Sequence, residues 1–389
     1  MVTPADGAYA RLIPCQRHLF DIPDDVAYLN CAYISPLMHA VVEAGIAGVR
    51  RKARPWQISP ADFFTEADRA RALFARLVGA EAQDIAIVPA TSYGVATAAA
   101  NIAVVPGKRI VVLAEQFPSN VYAWRALAKR TGAELYTVPR PADDDWTTGV
   151  LDALDGRTAL LALPHIHWTD GAMLDLVRLG ARAREVGAAF VIDGAQSLGA
   201  LPLDVRAVRP DYLIAATYKW LLGPYGFGFL YVAPHRQDGR PLEEHWSARK
   251  DSQNFSLLVD YRDEYQPGAQ RFDVGEKLNF HLLPMAIPAL EQILAWGVDG
   301  IQATLRAMTD RLSARLMPLG VGTVPRDRRA GHYLGLRFPG GVPAGLAERM
   351  AAVKVHASVR GRDAMRVTPH LWVTPSDEDR FVEVLRAAL

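Results

Sequence analysis

The sequence predicts an α/β protein in which a mostly parallel, seven-stranded sheet covered by helices precedes a smaller α+β part. Two observations carry this. Between residues 84 and 232, short β-type apolar runs alternate with longer stretches of helical spacing, the pattern that builds a parallel sheet. The chain has 389 residues, half of them apolar, which exceeds the size at which one core usually keeps growing. Two domains are therefore expected, 21–265 and 266–389, with an N-terminal segment 1–20 packing against the second.

The strand candidates are "DIAIV" (84–88), "RIVVLA" (109–114), "AELYTV" (133–138), "TALLAL" (158–163), "AAFVID" (188–193), "YLIAA" (212–216) and "GFGFLYV" (226–232). Helices fill most gaps. "SNVYAWRALAKRTG" (119–132) spaces its apolar residues along one helical face and ends on Gly132, a residue suited to a left-handed cap. "LDLVRLGARAREVGA" (174–188) repeats the design. After residue 232 a polar stretch (233–254) reads as an excursion or active-site loop, "HLLPMAIPALEQILAWG" (281–297) opens a long helix, and "SDEDRFVEVLRAAL" (376–389) closes the chain with Ser376 as the expected N-cap.

The net charge of +1 and 22% charged residues give no global field toward nucleic acid or an anionic membrane. Only Cys15 and Cys31 occur, which excludes a disulfide framework and a cysteine-built metal site. No apolar span reaches the ~20 residues of a membrane helix, and the N-terminus does not read as a signal peptide. A cytoplasmic protein is expected.

In such a sheet, ligands bind at the carboxyl ends of the strands. One lysine stands out there. Lys219 lies between two apolar strand-like runs in "LIAATYKWLLGPYGFGFLYV" (213–232), where an ammonium loses hydration unless it is paired or deprotonated. An amine in that setting has its pKa pushed down and becomes a nucleophile able to condense with an aldehyde. Asp193 ends the buried-type strand "AAFVID", where it either caps the following turn or meets a cation such as a protonated pyridine nitrogen. Thr91, Ser92, Tyr93 and Gly94 open a small-residue helix, whose N-terminus serves either as a simple cap or as a phosphate cradle. Aldehyde, phosphate and pyridinium together describe pyridoxal 5'-phosphate.

The segments "VIDGAQSLGALPLDV" (191–205) and "DYLIAATYKWLLGPYGFGFLYV" (211–232) resemble the class V branch of fold-type I pyridoxal-phosphate enzymes, which holds aminotransferases, cysteine desulfurases, kynureninase and related lyases and epimerases. The resemblance implies Lys219 as the lysine that forms the Schiff base, Asp193 as partner of the pyridine nitrogen and Gln196 beside the ring's phenolic oxygen. It further implies that Ser92, Tyr93 and Tyr218 bind the phosphate, that Phe117 stacks on the ring, and that Arg366 clamps the substrate carboxylate. "HIHWTDG" departs from the family pattern and puts Trp168 where an asparagine is common, which makes His167 a candidate for substrate contact. For His165 and His167, hydrogen-bonded loop or core positions stay open, and no third ligand supports a metal site. The resemblance also implies a homodimer, but Glu276 and Lys277 interrupt the motif through which a second subunit usually reaches the phosphate.

Aminotransferase activity on an amino acid is the leading expectation, with a β-lyase or an epimerase as the alternatives, because all three begin by removing the same α-proton. A desulfurase is disfavoured. "HASVRGRDAMRV" (356–367) contains no cysteine to accept sulfur.

Overall fold

The structure is a computed structural model that describes residues 12–389. Two helices lead in, α1 (His39–Lys52) and α2 (Thr65–Val78), followed by β1 (Ile85–Val88) and α3 (Thr91–Asn101). Alternation then continues through β2 (Arg109–Leu113), α4 (Tyr122–Thr131), β3 (Glu134–Val138), α5 (Trp146–Ala153), β4 (Thr158–Pro164), α6 (Leu176–Glu185) and β5 (Ala189–Asp193). The strands β6 (Tyr212–Ala216) and β7 (Gly228–Val232) complete a seven-stranded sheet in the order β1-β7-β6-β5-β4-β2-β3. All neighbours pair in parallel except β7, which runs antiparallel to both β1 and β6. Every expected strand is present.

The sheet is covered on both faces, which is why its central strands are apolar at nearly every position. Phe190, Ile192, Leu213 and Phe229 face one buried cluster, while Val191, Tyr212, Ile214 and Leu230 face the other. Helix α4 stops at Gly132, whose φ of 71° is a left-handed conformation that costs glycine little. Gly94 solves a different problem: a Cβ there would lie 2.8 Å from Ile214, so its absence lets the first turn of α3 rest directly on β6.

Beyond the sheet, α7 (Leu282–Trp296) packs on α1 and α2, and α8 (Val298–Leu316) leads to a four-stranded antiparallel sheet. Its strands are β8 (Gly322–Thr323), β9 (Leu334–Arg337), β10 (Ser358–Arg360) and β11 (Ala364–Val367), in the order β10-β11-β9-β8. Helix α9 (Leu346–Ala352) lies between β9 and β10, and α10 (Pro375–Arg386) ends the chain. The N-terminal segment touches this second part where it is described: Ile13 N–H donates to Thr304 Oγ1 at 2.9 Å and Arg17 pairs with Asp377 at 2.8 Å. The remainder of that segment lies outside the described residues.

One expectation needs correction, and one open alternative is decided. The cap of α10 is Thr374 rather than Ser376: Pro375 takes the first helical position, where its missing N–H costs nothing, and Thr374 and Asp377 form a reciprocal capping box. The 233–254 segment is an excursion of short turns whose Glu243, Trp246 and Ser247 pack against residues 273–280, so it does not line the cavity described next.

Candidate active site

At the carboxyl ends of the sheet strands, the loops after β1, β2, β4, β5 and β6 enclose a cavity of about 230 Å³. The loop after β6 carries Lys219. Its path is fixed by Thr217, whose hydroxyl bonds to the carbonyls of Pro224 (2.7 Å) and Phe227 (2.9 Å), and it turns sharply through Leu222 at a φ of 53°. A left-handed leucine is strain retained in the turn that aims the lysine.

Lys219 is only 6% exposed. Its Nζ lies 5.4 Å from the ring centres of both Phe117 and Tyr218 and forms no ion pair among the described residues. Burial pushes its pKa down to about 8, with Arg366 acting in the same direction and Asp193 opposing. The amine is thus partly neutral near physiological pH, as a nucleophile must be. Asp193, 8% exposed at the end of β5, accepts one hydrogen bond, from Ala195 N–H at 3.0 Å. Burial raises its pKa against that bond and the pull of Lys219. A buried carboxylate with so few donors calls for a cation.

The other walls suit an aromatic ring and a phosphate. Thr91 and Ser92 line the cavity in the first turn of α3, where backbone N–H groups and the helix dipole favour an anion. Gln196 is braced from two sides, donating to Ala32 O at 3.1 Å and accepting from the Trp220 indole at 3.0 Å. Phe117 is 37% exposed. Its backbone is held by the neighbouring Gln116, which donates to the carbonyls of Asn120 (2.7 Å) and Ala162 (3.0 Å) and accepts from Leu113 N–H. Phe117 meets Trp168 edge-to-face at 5.4 Å, and Tyr218 packs on Tyr225 at 4.5 Å.

These groups fit the expected cofactor: an amine, a carboxylate lacking a cation and a helix N-terminus line one cavity. Residues 57–367 match the family described as "Aminotransferase class-V". The chain belongs to that family.

Within the class-V family, the isopenicillin N epimerase of Amycolatopsis lactamdurans is 26% identical over 95% of this chain and 97% of its own length. A cysteine desulfurase from an Enterobacter species is 30% identical over 77% of this chain and 74% of its own. The solved structure of the cystine C–S lyase C-DES with cysteine persulfide superposes with a TM-score of 0.84, covering 93% of this chain and 98% of that one at 19% identity, a likeness of fold. As a class-V, fold-type I enzyme, the protein uses pyridoxal phosphate.

Most of the expected site residues converge. Ser92, Phe117, Trp168, Asp193, Gln196, Tyr218 and Lys219 all line the cavity. Tyr93 does not. It turns away along α3 toward Glu243 and Asp273, and Thr91 takes its place on the wall. His167 also departs from expectation: it is fully buried, stacked on Trp146 at 5.0 Å, and its nitrogens engage Ala114 O and Thr169 Oγ1. Its ring locks the loop after β4 instead of facing a substrate. Arg366 sits on β11 beside the cavity, buried to 2% exposure, with its guanidinium 5.5 Å from the Trp168 ring centre and Nη1 donating to Trp168 O at 3.2 Å. Lys277 is committed internally to Asp273 at 2.8 Å, while Glu276 is exposed.

Sequence reasoning missed Gln116, Tyr225 and the Arg140 network. Arg140 binds Asp170 (2.6 Å), Glu115 (2.8 Å) and Thr169 (3.0 Å), and Arg337 of β9 reaches the same Asp170 at 3.0 Å. The network ties the Trp168 loop to the smaller sheet. Its only sequence signal is a lone arginine after β3, which charge pattern cannot distinguish from a solvated one.

Proposed function

We propose that the chain is a pyridoxal-phosphate-dependent lyase that expels a β-substituent, such as a thiol, from an amino acid. Pyridoxal phosphate, when bound, draws the electrons released at the substrate α-carbon into its ring. Lys219, Asp193, Gln196, Thr91 and Ser92 would hold it, with Phe117 covering its face. The protein's own part is proton handling and positioning. Lys219 Nζ takes the α-proton and delivers it to the departing group, which leaves with the electron pair of its bond to the β-carbon. Water then releases the remaining fragment as ammonia and an oxo acid.

The observation that carries this reading is that the cavity wall offers one amine and, among the described residues, no histidine or thiol facing it. Besides Lys219 and Asp193, its titratable wall residues are Tyr218 and Tyr225, and Phe117 and Trp168 form an apolar surface. Inversion by two bases would have to use a wall tyrosine, and burial pushes the Tyr218 hydroxyl above its usual value. Sulfur acceptance finds no thiolate: Cys31 is fully buried against Lys219 O, and burial pushes its thiol well above the ordinary value. The C–S cleavage performed by the superposable lyase supports the choice of leaving group. Transamination also needs only Lys219 and is the second reading. The same proposal divides the chain near residue 265 and pairs it as a homodimer.

The test is to give the holoenzyme S-substituted cysteines and assay products. Ammonia with pyruvate supports the lyase. The pyridoxamine form with an oxo acid that keeps its side chain favours transamination, and α-proton exchange with inversion favours epimerisation.

A further inference from the structure

Trp168 lines the cavity, and two guanidiniums lie against its ring from beside the cavity. Arg366 on β11 and Arg360 on β10 both lie against the Trp168 indole, at 5.5 and 5.9 Å from its centre. Neither forms an ion pair among the described residues, and the Nε of each is buried without a hydrogen-bond partner. Arg360 has only long contacts to its neighbours, Val359 O at 3.5 Å and Ser358 Oγ at 3.4 Å. That hydroxyl is itself committed to Asn30 at 2.7 Å. The two arginines also repel: burial first and Arg366 second hold Arg360 below the usual guanidinium value. By contrast, the half-buried Arg140 and Arg337 are both matched by Asp170.

A buried and a half-buried cation, both set against the Trp168 indole that lines the cavity, ask for two negative charges. One is the α-carboxylate of any amino acid. We propose that Arg360 receives a second carboxylate carried on the substrate's side chain, so that the enzyme selects dicarboxylic amino acids. This rests on the reading of the protein as an amino-acid enzyme and adds the substrate class. Arg366 then takes the α-carboxylate, and the planar fork of Arg360 is suited to bind the distal one through two hydrogen bonds. For the lyase reading, a suitable substrate is a cysteine thioether whose departing thiol ends in a carboxylate.

The experiment is equilibrium binding, followed by the change in cofactor absorbance as the holoenzyme is titrated with amino acids that lack a leaving group. Glutamate and 2-aminoadipate are compared with the neutral norvaline and norleucine. The wild-type protein should bind one of the diacids more tightly than its neutral counterpart. Arg360→Gln should weaken that diacid about 30-fold and leave the neutral amino acid unchanged. Arg366→Gln should weaken both alike, and Arg360→Lys should restore part of the preference. Equal binding of acids and neutral analogues by the wild type, or an equal loss for both in Arg360→Gln, overturns the proposal. An absorbance that responds to none of the four, in a protein whose Lys219 borohydride fails to label, overturns the amino-acid reading beneath it as well.

Discussion

Two buried clusters in this molecule each set acid beside base, and they are built on opposite rules. In one, Asp273 is completely buried, yet it accepts from Arg71 at 2.9 and 2.7 Å, from Lys277 at 2.8 Å and from Ile87 N–H at 2.8 Å. Burial alone would raise its pKa, but Arg71 and Lys277 hold it below the usual carboxylate range. In the other, Asp193 and Lys219 are also buried, make no ion pair with one another, and are each shifted toward the uncharged form. The first cluster has every acceptor occupied and fastens the segment after residue 266 to β1. The second leaves its charges open. An unsatisfied buried pair is costly to stability, so its persistence in a well-packed interior marks where a ligand supplies the missing partners.

Breaking the second cluster should abolish chemistry and spare the fold. Lys219→Ala removes both the anchoring amine and the proton carrier, and turnover should fall by roughly 10⁴-fold or more. Melting of the protein prepared without cofactor should be unchanged or slightly improved, since a buried amine with no ion pair is removed. Asp193→Asn should likewise lose activity while keeping stability. A variant of either residue that fails to fold would erase the contrast.

Breaking the first cluster should do the reverse. Asp273→Asn strands two buried cations and should cost about 3–5 kcal/mol in urea denaturation, with the fraction that remains folded still binding cofactor. Equal loss from Asp193→Asn would show that both clusters are structural.

The comparison explains what was legible in the sequence. Seven strands could be placed because their buried residues are β-type, apolar and set off by helical spacing. Lys219 and Asp193 stood out because each is a charge at the end of such a run, a local anomaly. Arg71 and Asp273 are equally buried, but they meet across 202 positions and neither interrupts an apolar run, so nothing local marks them. Tyr93 was misplaced for a related reason. The sequence locates the first turn of α3, but the helix phase that puts Thr91 and Ser92 on the wall and turns Tyr93 away is set by Gly94 packing on Ile214. His167 was drawn toward the substrate by its loop position, whereas stacking on Trp146 lies outside any local pattern.

A third group tests whether neutrality alone can keep polar side chains inside. His165, His332 and His370 are buried together, and burial pushes them down to about 3, 4 and 3. His370 stacks on Trp372 at 4.8 Å with neither nitrogen hydrogen-bonded. These rings stay neutral in the fold, while the unfolded chain takes up protons near pH 6.5. The unfolded state then binds more protons, so this contribution to stability is full above pH 6.5 and is lost as pH falls toward 4, at about 1.4 kcal/mol per unit for each ring. Urea midpoints at pH 7.5, 6 and 5 should show the decline. His370→Phe should flatten it and be the more stable protein at pH 5. A slope unchanged by that substitution would assign the acid sensitivity to other groups.

The smallest effect concerns a satisfied, part-buried pair in the second part. Thr374 Oγ1 accepts from Asp377 N–H at 3.2 Å, and Asp377 Oδ2 accepts from Thr374 N–H at 2.9 Å, closing the first turn of α10. Thr374→Ala should cost about 1 kcal/mol, Thr374→Ser should recover most of it, and activity per folded molecule should stay constant. Asp377 keeps Arg17 and Arg380 at 2.8 and 2.7 Å in either variant, so its charge remains paired. If Thr374→Ala instead lowered turnover while the melting temperature held, α10 would be coupled to the cavity through the segment after β11 that carries His370 and Trp372, and the separation between closed, structural clusters and the open, reactive one would not extend to the smaller sheet.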